Sequence, residues 1–199
     1  ARHGATPLLQ CTDATRFRPG TGVTDAGAGV LFVGNARGGM RPVVAAAREA
    51  GVGVTVIGTG WAEHGVAAVA DRIANEDLPT AYSSAGVVLN DHHADMAAEG
   101  FVSNRVFDVL AVGGRLLTDP VAGLADVLAE VGASSQPTWQ GPDDLARLAR
   151  PPYDAWPDEH ERRAVAARVV AAHSFDARAA TLLDAARAHL ASSRDGSRG

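Results

Sequence analysis

Apolar runs of strand length alternate with stretches of helical period along most of the chain, which is the pattern of a parallel sheet covered by helices. Strands are predicted at Val30 to Val33, closed by Gly34, and at Val52 to Ile57, Val87 to Asn90 and Arg115 to Thr118. Between them, Arg41 to Ala50 reads as a helix that tolerates Pro42 in its first turn, and Asn104 to Val112 as another that stops at Gly113 and Gly114. Gly65 to Ile73 fits strand or helix, because its Val and Ala residues suit both periods. Asn75 is placed to cap a short helix carrying Leu78, Ala81 and Tyr82, and Asp91 to Gly100 reads as a polar loop. A helix from Val121 to Val131, a short strand near Ala133 to Gln136 and a helix through Leu145 to Ala149 complete the layered part. Two Ala/Arg-rich helices follow, from Asp158 to Ala172 and from Phe175 to Ser192, with Ser174 as the cap of the second. The fold class expected is α/β, a Rossmann-like parallel sheet with helices on both faces.

One domain is expected, over residues 29–191. The loop-like run 1–28, rich in Gly, Thr and Pro and opening on Ala1, reads as a linker from a missing N-terminal domain. Residues 192–199 form a polar Ser/Arg/Gly tail with nothing to bury, for which disorder is the expected state. Charge narrows the partners: 18 basic against 23 acidic residues give a net charge of −5 with no basic stripe, which argues against nucleic acid and anionic membrane. Every basic residue is Arg, a choice that reads as genomic bias. No apolar run, Val106 to Val112 included, approaches the roughly 20 residues of a membrane span. The lone Cys11 cannot close an internal disulfide, and no cleavable leader precedes it, so a reducing cytoplasm is the expected location.

Ligands of such sheets bind beyond the carboxyl ends of the strands, which selects the loops Gly34 to Met40, Asn90 to Asn104 and Asp119 to Gly123. The first is a glycine-rich turn from strand to helix with Arg37 and Arg41, suited to close backbone approach to a phosphate or simply to tight turn geometry. In the second, Ser103 sits where an N-cap belongs, and the free N–H groups there favour an anion such as a diphosphate. Asn104 and Asp108 share a helix face predicted to point away from the core, where Asp108 is placed to grip ribose hydroxyls. The plainer alternative makes Ser103 a cap and Arg105 with Asp108 an exposed pair of little energetic weight. Asp91, His92, His93 and Asp95 invite a metal, but adjacent loop residues point apart and no second His or Cys cluster exists; no metal is expected. A Gly-x-Ser-x-Gly elbow is absent, against a hydrolase, and His173 and His189 read as structural residues of the closing helices.

The run from Gly100 through Gly114, followed by Leu117-Thr118-Asp119-Pro120, resembles the C-terminal, donor-binding domain of GT-B glycosyltransferases, in the branch of spore maturation glycosyltransferase-like proteins. Thr15-Arg16-Phe17-Arg18-Pro19, Gly34-Asn35 with Arg41, and His173-Ser174-Phe175 with Arg178 agree with it in order and spacing. The resemblance implies transfer of a sugar from a nucleotide-diphosphate donor held here, without a cofactor or metal, to an acceptor held mainly by the missing N-terminal domain. It assigns Gly34, Asn35, Ser103, Asn104 and Arg105 to the diphosphate, with Arg37 or Arg41 adding charge, and Asp108 to the ribose. Glu99 is the candidate catalytic carboxylate, as a contact to the donor sugar, although relatives space the two acids by seven residues and here the interval is eight. Two other readings share the architecture: a non-catalytic nucleotide-binding or interaction module, and a sugar-nucleotide epimerase.

Overall fold

A computed structural model describes residues 8–20 and 29–195, with side chains through residue 191. The linker positions 1–7 and 21–28 and the last tail positions, 196–199, lie outside the described residues. The sheet contains β1 (Val30–Val33), β2 (Val54–Ile57), β3 (Ala68–Ala70), β4 (Val87–Asn90) and β5 (Leu116–Thr118), in the order β3-β2-β1-β4-β5 and parallel throughout. Helices α1 (Pro42–Glu49), α2 (Leu78–Ser84), α3 (Ala94–Glu99), α4 (Asn104–Ala111), α5 (Leu124–Glu130), α6 (Pro142–Leu148), α7 (Glu159–His173) and α8 (Phe175–Asp195) connect and follow the strands.

The period-2 alternation of the strands creates a core on each face. Leu31, Val88 and Leu116 meet Val106, Phe107 and Leu110 of α4, Val127 of α5 and Val165 and Val169 of α7. Val30, Phe32, Val87, Leu89 and Leu117 meet Val43 and Val44 of α1, Leu145 and Leu148 of α6, and Trp61, Trp139 and Trp156. Because both faces are covered, β1 and β4 read as unbroken apolar runs. The strand order reverses between β1 and β4, which marks the carboxyl ends of these two strands as the place where ligands of such sheets bind.

Several local expectations are corrected. Helix α2 starts at Leu78 behind Asp77, so Asn75 is not its cap. The ambiguous stretch Gly65 to Ile73 resolves as strand, β3, which follows a 3-10 turn at Ala62–His64. The loop expected from Asp91 to Gly100 contains α3, which is closed by Gly100 in the left-handed conformation (φ 71°). No strand forms at Ala133 to Gln136; the chain turns at Gly132 (φ 65°), and the Gln136 side chain donates to the Leu116 carbonyl in place of a strand partner. The last helix runs on to Asp195, past the point where the polar tail was placed.

Candidate functional site at the strand crossover

The candidate site is built from the carboxyl ends of β1 and β4 and the amino ends of α1 and α4. Gly34 follows β1, and its backbone is held on both sides: its N–H donates to Ile57 O at 2.8 Å, and its carbonyl accepts from Trp61 Nε1 at 2.9 Å. Asn35 spends its side-chain oxygen on Thr59 N at 2.9 Å, so it braces the turn. At Gly58, φ is 147° and a β-carbon would stand 2.2 Å from the Gly34 carbonyl oxygen, so only glycine lets the two turns meet. Arg37 is exposed in the same turn with φ 52°.

The two arginines flanking Phe32 are used differently. Arg41, 8% exposed, donates to the Asp91 carboxylate, to the Asp91 carbonyl at 3.0 Å and toward His93 Nε2 at 2.7 Å. Asp91 also accepts from Val43 N at 3.3 Å, so a carboxylate already occupies the positive end of α1. Arg105, in the first turn of α4, donates to Asn90 Oδ1 at 2.8 Å and to the Val33 carbonyl, and lies 5.2 Å over the Phe32 ring. Its acceptors in these bonds are amide oxygens rather than carboxylates, so its positive charge is not cancelled by them. It reaches the Gly34 turn as well: a β-carbon at Gly34 would sit 3.3 Å from its Nη2.

Ser103 takes the N-cap position of α4 in extended conformation, but its hydroxyl makes no capping bond, in contrast to the simple capping role. Its own N–H donates to His92 Nε2 at 3.0 Å, while His92 Nδ1 meets Asp119 Oδ1 at 2.7 Å. With the Ser103 N–H on Nε2, the proton that faces Asp119 sits on Nδ1, and the ring is buried. Burial works against the Asp119 anion, but the hydrogen bonds from His92 hold its carboxyl below the ordinary carboxylate range. His93 is held below its ordinary range by burial and by the charges of Arg41 and Arg37. Asp119→Ala is expected to cost about 1–3 kcal/mol at neutral pH by orphaning both His92 donors. The cost should shrink as the pH falls from the ordinary carboxylate value of about 4 through the lower value of the folded state, and urea denaturation at several pH values measures it. An unchanged midpoint at neutral pH would remove Asp119 from the framework of the α4 start.

Asp108 departs from expectation most. Its face is covered rather than open to solvent: Asp108 is 8% exposed and accepts from Thr12 Oγ1 and from Asn104 Nδ2, each at 2.7 Å. Burial pushes its carboxyl up to about 6 against these hydrogen bonds and the charge of Arg105. The structure thus brings together Gly34, Arg41, Ser103 and Arg105, with Asn104 and Asp108 one step along α4. Asn35, Arg37 and Glu99 are exposed, Glu99 as the last residue of α3. The sequence reading missed Asn90, and it weighed Asp91 and His92 only as metal ligands, a reading it set aside. Among the described residues no group of three or more His, Cys, Asp or Glu side chains is arranged to hold a metal.

A family model described as glycosyl transferase-like matches residues 37–184. The chain belongs to this glycosyl transferase-like family. No curated protein sequence matches it. Among solved structures it is similar to AviGT4, a glycosyltransferase involved in avilamycin A biosynthesis, at TM-score 0.65 and 19% identity, over 95% of this chain and 59% of that one. It is also similar to a sucrose-phosphate synthase from Thermosynechococcus elongatus, at TM-score 0.63 and 18% identity, over 93% of this chain and 52% of that one. The fold is the Rossmann-like fold of GT-B glycosyltransferases, and the chain spans little more than half the length of these two structures. No described helix is long and apolar enough to cross a membrane.

Proposed function

We propose that this member of the family is the donor domain of a glycosyltransferase, binding a nucleotide-diphosphate sugar for transfer to an acceptor held mainly by a separate N-terminal domain. The observation that carries the reading is the contrast between the two helix starts at the crossover. The amino end of α1 and the charge of Arg41 are already met by Asp91, whereas the amino end of α4 has an uncapped first turn and, in Arg105, a guanidinium bonded to neutral oxygens. A diphosphate laid along Gly34 would find its countercharge at α4, with Arg41 as framework. Negative charge grows on the diphosphate as the glycosidic bond breaks, and fixed donors at that place stabilise it without reorganising. In this reading Asp108, one turn further on the same helix, contacts the ribose, and Glu99, the last residue of α3, contacts the donor sugar.

Calorimetric titration with UDP, GDP, ADP and TDP, each beside its nucleoside, tests the donor role. One nucleoside diphosphate is expected to bind, and its nucleoside to bind far more weakly. Equal binding of diphosphate and nucleoside, or of all bases and none, by a folded sample would defeat the assignment. Turnover is expected only when the acceptor domain is present; conversion of a sugar nucleotide with no acceptor added would favour the epimerase reading instead.

A further inference from the structure

The segment that enters the domain contributes a side chain to this site. Thr12 is 1% exposed, and its backbone is held by the junction of α7 and α8: its N–H donates to His173 O at 2.8 Å, and its carbonyl accepts from Phe175 N at 3.1 Å. Arg178 Nε donates to Leu9 O at 3.0 Å and Nη2 to Gln10 O at 3.4 Å, and Arg178 also contacts the fully buried His173, whose ring lies 5.0 Å from that of Phe107. The closing motif His173-Ser174-Phe175 with Arg178 is thus a clasp for residues 9–12. With the backbone fixed, the Thr12 hydroxyl is delivered to Asp108 Oδ1, opposite the Asn104 amide on Oδ2. One donor on each oxygen sets the plane of the carboxylate, and each oxygen keeps acceptor capacity for a further hydrogen bond.

We propose that Thr12 is a positioning residue for nucleotide recognition, donating to Asp108 Oδ1 so that the carboxylate presents its remaining lone pairs to the two hydroxyls of a ribose. The inference rests on the reading of Asp108 as the ribose contact. An ionised carboxylate accepts from both hydroxyls of a vicinal diol; a protonated or rotated one gives up an acceptor and its charge. Burial disfavours the ionised form here, and the Thr12 and Asn104 bonds oppose that penalty. The other charged or titratable groups that act on the carboxyl or feel its charge are Arg105 on its own helix, Asp13 and Cys11 on the entering segment, and Tyr82 on α2.

Two measurements test it. Carbon-detected NMR titration of Asp108 needs no nucleotide: in Thr12→Val its midpoint is expected to rise, and in Thr12→Ser to stay near that of the wild type. An unmoved midpoint in Thr12→Val would overturn the inference. Calorimetry then compares UDP, GDP and ADP with their 2′-deoxy forms. The wild type is expected to prefer the ribonucleotide, and Thr12→Val to lose that preference by about tenfold weaker ribonucleotide binding with the deoxy form unchanged. A preference kept intact in Thr12→Val overturns the role of Thr12 alone, whereas a wild type with no preference overturns the ribose reading of Asp108 beneath it.

Discussion

Arg105→Ala is expected to weaken binding of a nucleoside diphosphate by about 100-fold while leaving the weak binding of its nucleoside unchanged. Hydrogen bonds to charged groups contribute about 1.5–3 kcal/mol each, and about 1.4 kcal/mol is tenfold in affinity, so loss of one such contact to the phosphates, at the upper end of that range, gives this magnitude. The corresponding loss at Arg41 should show mainly as instability, because that charge is already spent on Asp91. Arg105→Ala also removes a donor from Asn90, which is fully buried, so part of the effect is structural. Arg105→Lys separates the two contributions: it keeps a charge but cannot reach Asn90, the Val33 carbonyl and a phosphate with one planar fork, and an intermediate loss is expected. Titration of both variants, alongside their denaturation midpoints, measures this. Undiminished diphosphate affinity in a folded Arg105→Ala sample would move the anion site away from α4.

The boundaries of β1 and β4 were legible because strands covered on both faces are written as runs, Val30-Leu31-Phe32-Val33 and Val87-Val88-Leu89-Asn90. Helix α3 was not legible. Its six residues bury no side chain fully, so no apolar stripe marks it, and its boundaries rest on the extended His93 and the left-handed Gly100. The crossover glycine and the start of α4 were visible because turn and N-cap signals are local in sequence. Arg41 with Asp91, and His92 with Asp119, were not: these pairs are 50 and 27 residues apart, and singly each member reads as a solvated polar residue. Asp108 failed for the same reason in stronger form. Helical spacing correctly put it on the face of Asn104 rather than that of the core, but the entering segment, 96 residues earlier, covers that face.

That cover makes Asp108→Asn a variant expected to gain stability while losing function. In the folded chain the carboxyl is pushed up to about 6 from an ordinary 3.8, so between these values the native state holds a proton that the unfolded chain has released. Stability from this group is therefore full at low pH and falls as the pH rises through the folded value, by up to about 3 kcal/mol for a shift of this size. An asparagine carries no such penalty; its oxygen still accepts from Thr12, and the Asn104 amide can turn its own oxygen toward the new N–H donors. Asp108→Asn is expected to match the wild type near pH 4 and to exceed it by about 1–3 kcal/mol above pH 7. His93 and His173, both held below their ordinary range, give the opposite pH dependence, but they are common to both proteins and cancel in the difference. Parallel stability curves from pH 4 to 8, read from urea midpoints, would show that the carboxylate carries no burial penalty. The same variant is expected to bind the nucleoside diphosphate at least about tenfold more weakly, since an amide offers one acceptor oxygen where the carboxylate offers two and a charge. Higher stability together with weaker nucleotide binding in this one variant is the result expected of a ligand-contacting carboxylate held at a cost to the fold.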